Sequence, residues 1–369
     1  MTLQRLSGDP LLAERWCARV AAAAHSTRVL LLLAGTDTAA VSGISAAGAT
    51  PQSRRLTAAA DAELLVLGPG HPRPHALPPL PAGVSPALIS RVVVEQLALE
   101  PLVVDVGAAV APAVPHLHLG QRPARCLSTG AALNGTRVLE LLALGRRWGR
   151  QLARRQLPLL LAECVPGGTS TAQAVLQGLG VPAEGLVSGS LREPAHALKA
   201  QLVAQGLAAA QLPHPAAADQ VLAAVGDPMQ PLAVGLVLAS ASAGVPVLLA
   251  GGSQMAAVLA AALALSDASQ RALIAAHTAI ATTAWVAGER SSDLAQLLDQ
   301  IRACWGHPPL AFAASLRFDA CRSPQLLAFE QGYVKEGVGA GGLAVLWELS
   351  GRCPEALAVA CDQACSQLV

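Results

Sequence analysis

Short apolar runs alternate along the chain with longer stretches of helical character. The runs at 28–34, 63–67, 102–106, 157–163, 245–250, 280–286 and 310–314 predict strands. They are continuous rather than alternating, which is the pattern of a parallel sheet covered on both faces. Between them, stretches rich in alanine and leucine at 85–99, 131–154, 171–179, 194–210, 229–243 and 254–265 predict helices. This alternation predicts an α/β fold with a doubly wound, mostly parallel sheet. Helical patterns at 11–24 and 354–368 predict that the two ends pack together as a small helical domain beside the sheet. One segment breaks the alternation: residues 68–86 hold seven prolines. Proline removes a donor and fixes φ, so this stretch is a loop, of a length often tied to function or mobility.

Composition narrows the function. The chain has 369 residues, 53% of them hydrophobic and only 13% charged, which excludes a disordered protein. A formal net charge of +1 gives no basic field for nucleic acid, and three Phe, five Trp and one Tyr offer few stacking platforms. Residues 228–266 carry no charge at all. Gly244, Pro246, Gly251 and Gly252 interrupt that run, so it predicts helix, buried strand, helix rather than a membrane span. The start of the chain is polar and has no signal-peptide pattern. The eight cysteines form no CxxC pair and no zinc spacing, and are expected to be reduced thiols in a cytoplasmic protein. His116 and His118, two apart, suit neighbouring strand or loop positions, with a loop role favoured over metal binding.

Three junctions share one order: apolar strand, glycine, then hydroxyl residues. They are LLLLAGTDT (Leu30 to Thr38), LLLAECVPGGTST (Leu159 to Thr171) and VLLAGGSQ (Val247 to Gln254). Ligands of open α/β sheets bind at the carboxyl ends of strands, where glycine lets the backbone approach and a following helix offers free N–H groups. The stretch Gly167, Gly168, Thr169, Ser170 and Thr171 suits a phosphate, although no Walker lysine follows and a capped tight turn is the alternative. Glu163 ends its strand beside this loop, close to any bound ligand or simply as a capping carboxylate. A second glycine-rich segment, Gly332 to Gly342, carries Lys335 and Glu336. Glu336 is a candidate general base there, the alternative being a turn that opens a helix toward Leu349.

At these residues the chain resembles the nicotinate-nucleotide–dimethylbenzimidazole phosphoribosyltransferase family of cobalamin lower-ligand assembly, most closely a divergent branch of it. Glu163 to Thr171 matches the family's G-E-x-G-x-G-N-T-T. Val247 to Ser253 resembles its V-V-L-D-G-F-I, and VKEGVGA (Val334 to Ala340) matches R-L-G-E-G-S-G-A. Ala34 to Thr38 corresponds loosely to A-G-D-H-G. The resemblance implies a Rossmann-like domain at 26–320, with a small helical domain built from 1–25 plus 321–369, and a homodimer. It implies transfer of phosphoribose from nicotinate mononucleotide to an aromatic nitrogen base, with inversion and without cofactor or metal. It implies Glu336 as the base and Glu163 as a second carboxylate. Gly167 to Thr171 and Lys199 would hold the phosphate. Gly251, Gly252 and Ser253 would border the ribose, and Gly337 and Gly339 would also bind substrate. Gly168 stands where the family has Asn and Ala250 where it has Asp, changes that fit a second reading: a nucleotide-binding sensor without turnover.

Overall fold

The computed structural model describes residues 3–213 and 215–368. Among them eight strands form one sheet: β1 (Gln4–Ser7), β2 (Arg28–Leu33), β3 (Leu102–Asp105), β4 (Leu117–His118), β5 (Leu159–Cys164), β6 (Val247–Ala250), β7 (Thr278–Thr282) and β8 (Leu310–Ala313). Their order is β1-β8-β7-β6-β5-β2-β3-β4. All neighbours are parallel except β1, which runs antiparallel to β8. The chain winds outward from β2 to β4, then returns to β5 and winds out the other way. β2 and β5 therefore flank the point where the winding reverses, as in a doubly wound fold.

The central strands are apolar at nearly every position because both faces are covered. Leu30, Leu32, Leu159, Leu161, Val247 and Leu249 belong to one core. Their alternates Leu31, Leu33, Leu160, Ala162, Leu248 and Ala250 belong to the core on the other face. The uncharged run folds as a helix, Met229–Ser242, buried almost all round, then β6, then the helix Ser253–Ala264. Met229–Ser242 lies against the helix Gly135–Ala153, where Gly145 and Gly235 let the two backbones close up. No described helix is long and apolar enough to cross a membrane.

Two expected strands need correction. Residues 63–67 are the last turn of a helix, Pro51–Leu67, fixed at its start by a capping box between Thr50 and Ser53 and by Pro51 in the first turn. A short apolar run looks alike in a buried strand and a buried helix. The run at 280–286 splits: β7 stops at Thr282, and the Thr283 hydroxyl caps the short helix Ala284–Ala287. The ends of the described chain dock on the sheet's second core. Trp16 of the helix Pro10–Ala21 stacks on Phe312 of β8 at 5.4 Å between ring centres. The helix Pro354–Cys365 packs on Ala87–Gln96 and Ala340–Leu349. Of the segments expected to build the small domain, residues 1, 2 and 369 lie outside the described residues.

Candidate active site

A cavity of about 150 Å³ opens at the carboxyl ends of β5 and β6. Three helices begin at its edge, Gly168–Gly178, Ser253–Ala264 and Ala340–Leu349. Their amino ends bring partial positive charge toward it, although the Gly168, Ser170 and Ala340 amides bond within their own turns and the Gly341 amide is given to Glu336. The proline-rich segment forms one wall through Leu77, Pro78, Leu80 and Pro81. That segment is pinned from behind by Glu63, which accepts from the His75 amide at 2.9 Å and bonds the His75 ring at 2.6 Å.

Of the residues expected at the site, Glu163, Gly167, Gly168, Thr169, Gly252, Ser253, Glu336 and Gly337 line this cavity. Glu163 is the next-to-last residue of β5, its Oε2 accepting from the Val165 amide at 3.0 Å. Burial, then the nearby carboxylates of Asp227 and Glu336, push its pKa up to about 8. Glu336 stands in a loop whose backbone is strained: Val334, Lys335 and Val338 all have φ between 53° and 66°. Such conformations persist where the surroundings over-determine them, and they gather at functional sites. Here Lys335 anchors the loop, its ammonium reaching Glu289 Oε1 at 2.5 Å and the Leu191 carbonyl at 2.9 Å. Glu336 Oε1 accepts from the amides of Gly337 and Gly341, both at 3.0 Å. Its Oε2 accepts from the Thr282 hydroxyl at 2.9 Å and the Thr283 amide at 3.1 Å. Withdrawal from water still outweighs these four bonds and leaves the carboxyl above its ordinary pKa.

The remaining expected residues sit behind the lining. The Thr171 hydroxyl donates to Asp227 at 2.6 Å, and Ser170 is buried with a hydroxyl that makes no hydrogen bond among the described residues. Neither side chain is turned to the cavity. The Lys199 ammonium is given to the Ser188 carbonyl at 2.6 Å, and burial, opposed by Glu289 and reinforced by Lys335, lowers its pKa to about 8. Gly251 closes β6 with its amide on Ala281. Gly339 is a packing glycine: a Cβ there would lie 2.6 Å from the Cβ of Ala162.

Asp61 and Gln254 are among the polar lining residues that escaped sequence reasoning. Asp61, on the helix Pro51–Leu67, accepts from Ser85 Oγ at 2.6 Å and faces the Cys164 thiol at 3.4 Å. Burial pushes its pKa up to about 6. Gln254 lies against Gly168, and its Oε1 is buried without a partner among the described residues. A carboxylate inside the alanine-rich stretch from Ala58 to Ala62 was the available signal for Asp61.

The model of a family described as Phosphoribosyltransferase matches residues 87–287. A UPF0284 protein of Parasynechococcus marenigrum is 50% identical over all of this chain and 97% of its own length. A UPF0284 protein of Gloeobacter violaceus is 46% identical over 96% of this chain and 91% of its own. Among solved structures, CobT from Thermus thermophilus shares the fold with a TM-score of 0.57 and 19% identity, covering 96% of this chain and 92% of that one. The nicotinate-nucleotide-dimethylbenzimidazole phosphoribosyltransferase from the same organism gives 0.55 and 18%, covering 97% and 96%. The chain belongs to the phosphoribosyltransferase family that this model describes, in a branch it shares with the UPF0284 proteins.

Proposed function

We propose that this cavity transfers phosphoribose from nicotinate mononucleotide to a ring nitrogen of an aromatic base such as dimethylbenzimidazole. The observation that carries the reading is the convergence of Glu163 and Glu336 on one cavity rimmed by three helix amino ends. In the reaction the bond from the ribose anomeric carbon to nicotinate breaks, and its electron pair neutralises the pyridinium ring. A base nitrogen forms the new bond from the opposite face, and the base's N–H proton passes to Glu336. Removing that proton as the bond forms is general base catalysis. Glu163, with a pKa of about 8, holds its proton at neutral pH and faces the reacting centre as a donor. The 5′-phosphate sits on the backbone of Gly167, Gly168 and Thr169, where helix amino ends favour an anion. Leu77, Leu80, Pro81 and Val334 give the flat base an apolar wall. The same proposal takes the protein as a cytoplasmic homodimer, with 1–25 and 321–369 as its small domain apart from β1, which belongs to the sheet.

A non-catalytic nucleotide-binding role is the second reading. It is favoured by the four hydrogen bonds that already occupy Glu336. Incubation with nicotinate mononucleotide and a panel of benzimidazoles and purines separates the two. Nicotinate release that depends on the base, with a matching riboside phosphate product, supports the transferase. Tight nucleotide binding with no release for any base supports the sensor.

A further inference from the structure

We propose that Asp105, His116 and His118 form a binding site for a divalent transition-metal ion of the zinc class, separate from the phosphoribosyl cavity. β3 and β4 pair in parallel with Asp105 directly opposite His118. His116 precedes β4 by one residue and stands two positions from His118, so the extended chain turns both imidazoles to the same side. One ligand atom from each of the three residues lies within 4.8 Å of those of the other two. β2 stands between this place and β5, so the two sites do not share a wall.

The supporting bonds set up the ligands before any ion arrives. Asp105 is buried, and its Oδ1 accepts from the amides of Gly107 at 2.9 Å and Ala108 at 2.7 Å. Its Oδ2 is hydrogen-bonded to His118 Nδ1 at 2.8 Å, and an incoming ion would displace the shared proton to solvent and take its place between them. His116 Nδ1 lies 2.8 Å from the Val114 carbonyl. A carbonyl only accepts, so neutral His116 carries its proton on Nδ1 and presents a bare lone pair on Nε2. Metal-bound histidines are typically fixed in this way, by a carbonyl or carboxylate on the second ring nitrogen. Two imidazoles and one carboxylate, with the histidine side partly open to solvent, suit zinc, iron(II) or cobalt(II) better than calcium or magnesium. Water fills the remaining positions. An ion here would join β4, which is only two residues long, to β3, and would fix the loop that carries Ala124 back to Thr36 by a strand-like bridge.

The experiment loads the full chain with cobalt(II), then zinc, and compares it with the His116→Gln/His118→Gln double variant. Both changes lie at the partly exposed end of the cluster, so the fold should survive, and circular dichroism checks that it does. The expected result is one cobalt per chain with visible d–d bands, displaced by stoichiometric zinc. The near-ultraviolet charge-transfer band of a thiolate ligand should be absent. The double variant should bind about 100-fold more weakly or worse. Zinc should raise the thermal midpoint of the wild type and leave that of the variant unmoved. Equal affinity in the variant overturns the proposal, as does a thiolate band, which would place the metal on the exposed Cys304 or Cys353.

Discussion

The backbone amide of Val338 donates to the carbonyl oxygen of Glu163 at 3.0 Å. That bond fastens the glycine-rich loop to the end of β5 and holds two sequence-distant carboxyl groups over one cavity. Burial is the main reason that Glu163 resists ionisation, and the Asp227 and Glu336 charges add to it. Burial raises the proton affinity of both carboxyl groups, that of Glu163 to a pKa of about 8.

The raised pKa of Glu163 has a sign that stability measurements can read. Its folded pKa of about 8 lies above the ordinary glutamate value of 4.5, so between those pH values the folded state binds more protons than the unfolded. Stability from this group is fully present below the unfolded value and is lost as pH rises through about 8. Asp227 and Asp61, raised to about 6, act in the same direction at lower pH. Glu163→Gln keeps an acceptor for the Val165 amide and removes the charge. Melting curves at pH 5 and pH 9 should show little difference from wild type at the lower pH and a clear gain at the higher. A variant that loses stability equally at both would refute the buried-proton account.

Glu336→Gln is expected to lower product formation by about 10²–10⁴-fold, the usual contribution of a general base. It also carries a structural cost. The best amide orientation turns NH₂ toward the Thr282 hydroxyl, which can rotate and accept, and leaves the Thr283 amide facing a donor. One unsatisfied buried donor costs about 1–3 kcal/mol. Calorimetric affinity for nicotinate mononucleotide should change little. Near-normal nicotinate release in this variant would move the base assignment to Glu163.

Lys335→Met should destabilise strongly. Lys335 and Glu289 are an ion pair with side chains 2% and 4% exposed. Removing one partner of a buried pair typically costs about 3–5 kcal/mol, because the other charge is left uncompensated. Double replacement with Glu289→Leu should recover part of that loss in urea unfolding, and no recovery would deny the coupling.

Much of this architecture was legible in the sequence. β2, β3 and β5 to β8 are dominated by apolar residues because both faces are covered, and such runs stand out. β1 and β4 did not: β1 reads Gln-Arg-Leu-Ser, with its first two residues exposed at a sheet edge, and β4 is two residues long. The end of the helix Pro51–Leu67 read as strand because its apolar run is as short as a strand. Glu163 and Glu336 could be found since each borders a glycine-rich turn. Gln254 could not, since only tertiary packing brings its helix to the cavity, and Asp61 left only the faint signal of one carboxylate in an alanine-rich stretch.

Gly168→Val tests the phosphate cradle. A Cβ at Gly168 would lie 2.5 Å from Gln254 Cδ, the far part of a flexible side chain whose Oε1 has no partner among the described residues. Gly168 also has no left-handed backbone to lose. The fold should therefore survive while the branched side chain crowds the anion site, weakening nicotinate mononucleotide binding. Gln254→Ala in the same chain should relieve the crowding of Gln254 but leave the phosphate blocked. Unchanged affinity in Gly168→Val would move the phosphate to the Gly252 and Ser253 backbone.

The departure from the family pattern at Ala250 has a packing partner. A Cβ at Gly342 would lie 2.7 Å from the Cα of Ala250 and would also strike its Cβ. The helix Ala340–Leu349 thus rests directly on β6, and only a small residue at 250 leaves room for it. Overpacking usually costs about 1–3 kcal/mol, and contact with strand backbone puts Gly342→Ala at the upper end. Gly180→Ala is the control, since nothing lies within 4 Å of its Cβ and its only cost is a φ of +86°, about 1–2 kcal/mol. Ala250→Gly should rescue Gly342→Ala only in part, because the clash with the strand's Cα remains. The same displacement should reduce activity beyond the stability loss, because the Gly341 amide that holds Glu336 Oε1 belongs to this helix. Ala250→Asp, which restores the family residue, should be worse tolerated than either single change. Urea midpoints and nicotinate release measured together decide the matter: a stable and active Ala250→Asp protein would show that the helix can lift away from β6, and the packing argument would fail.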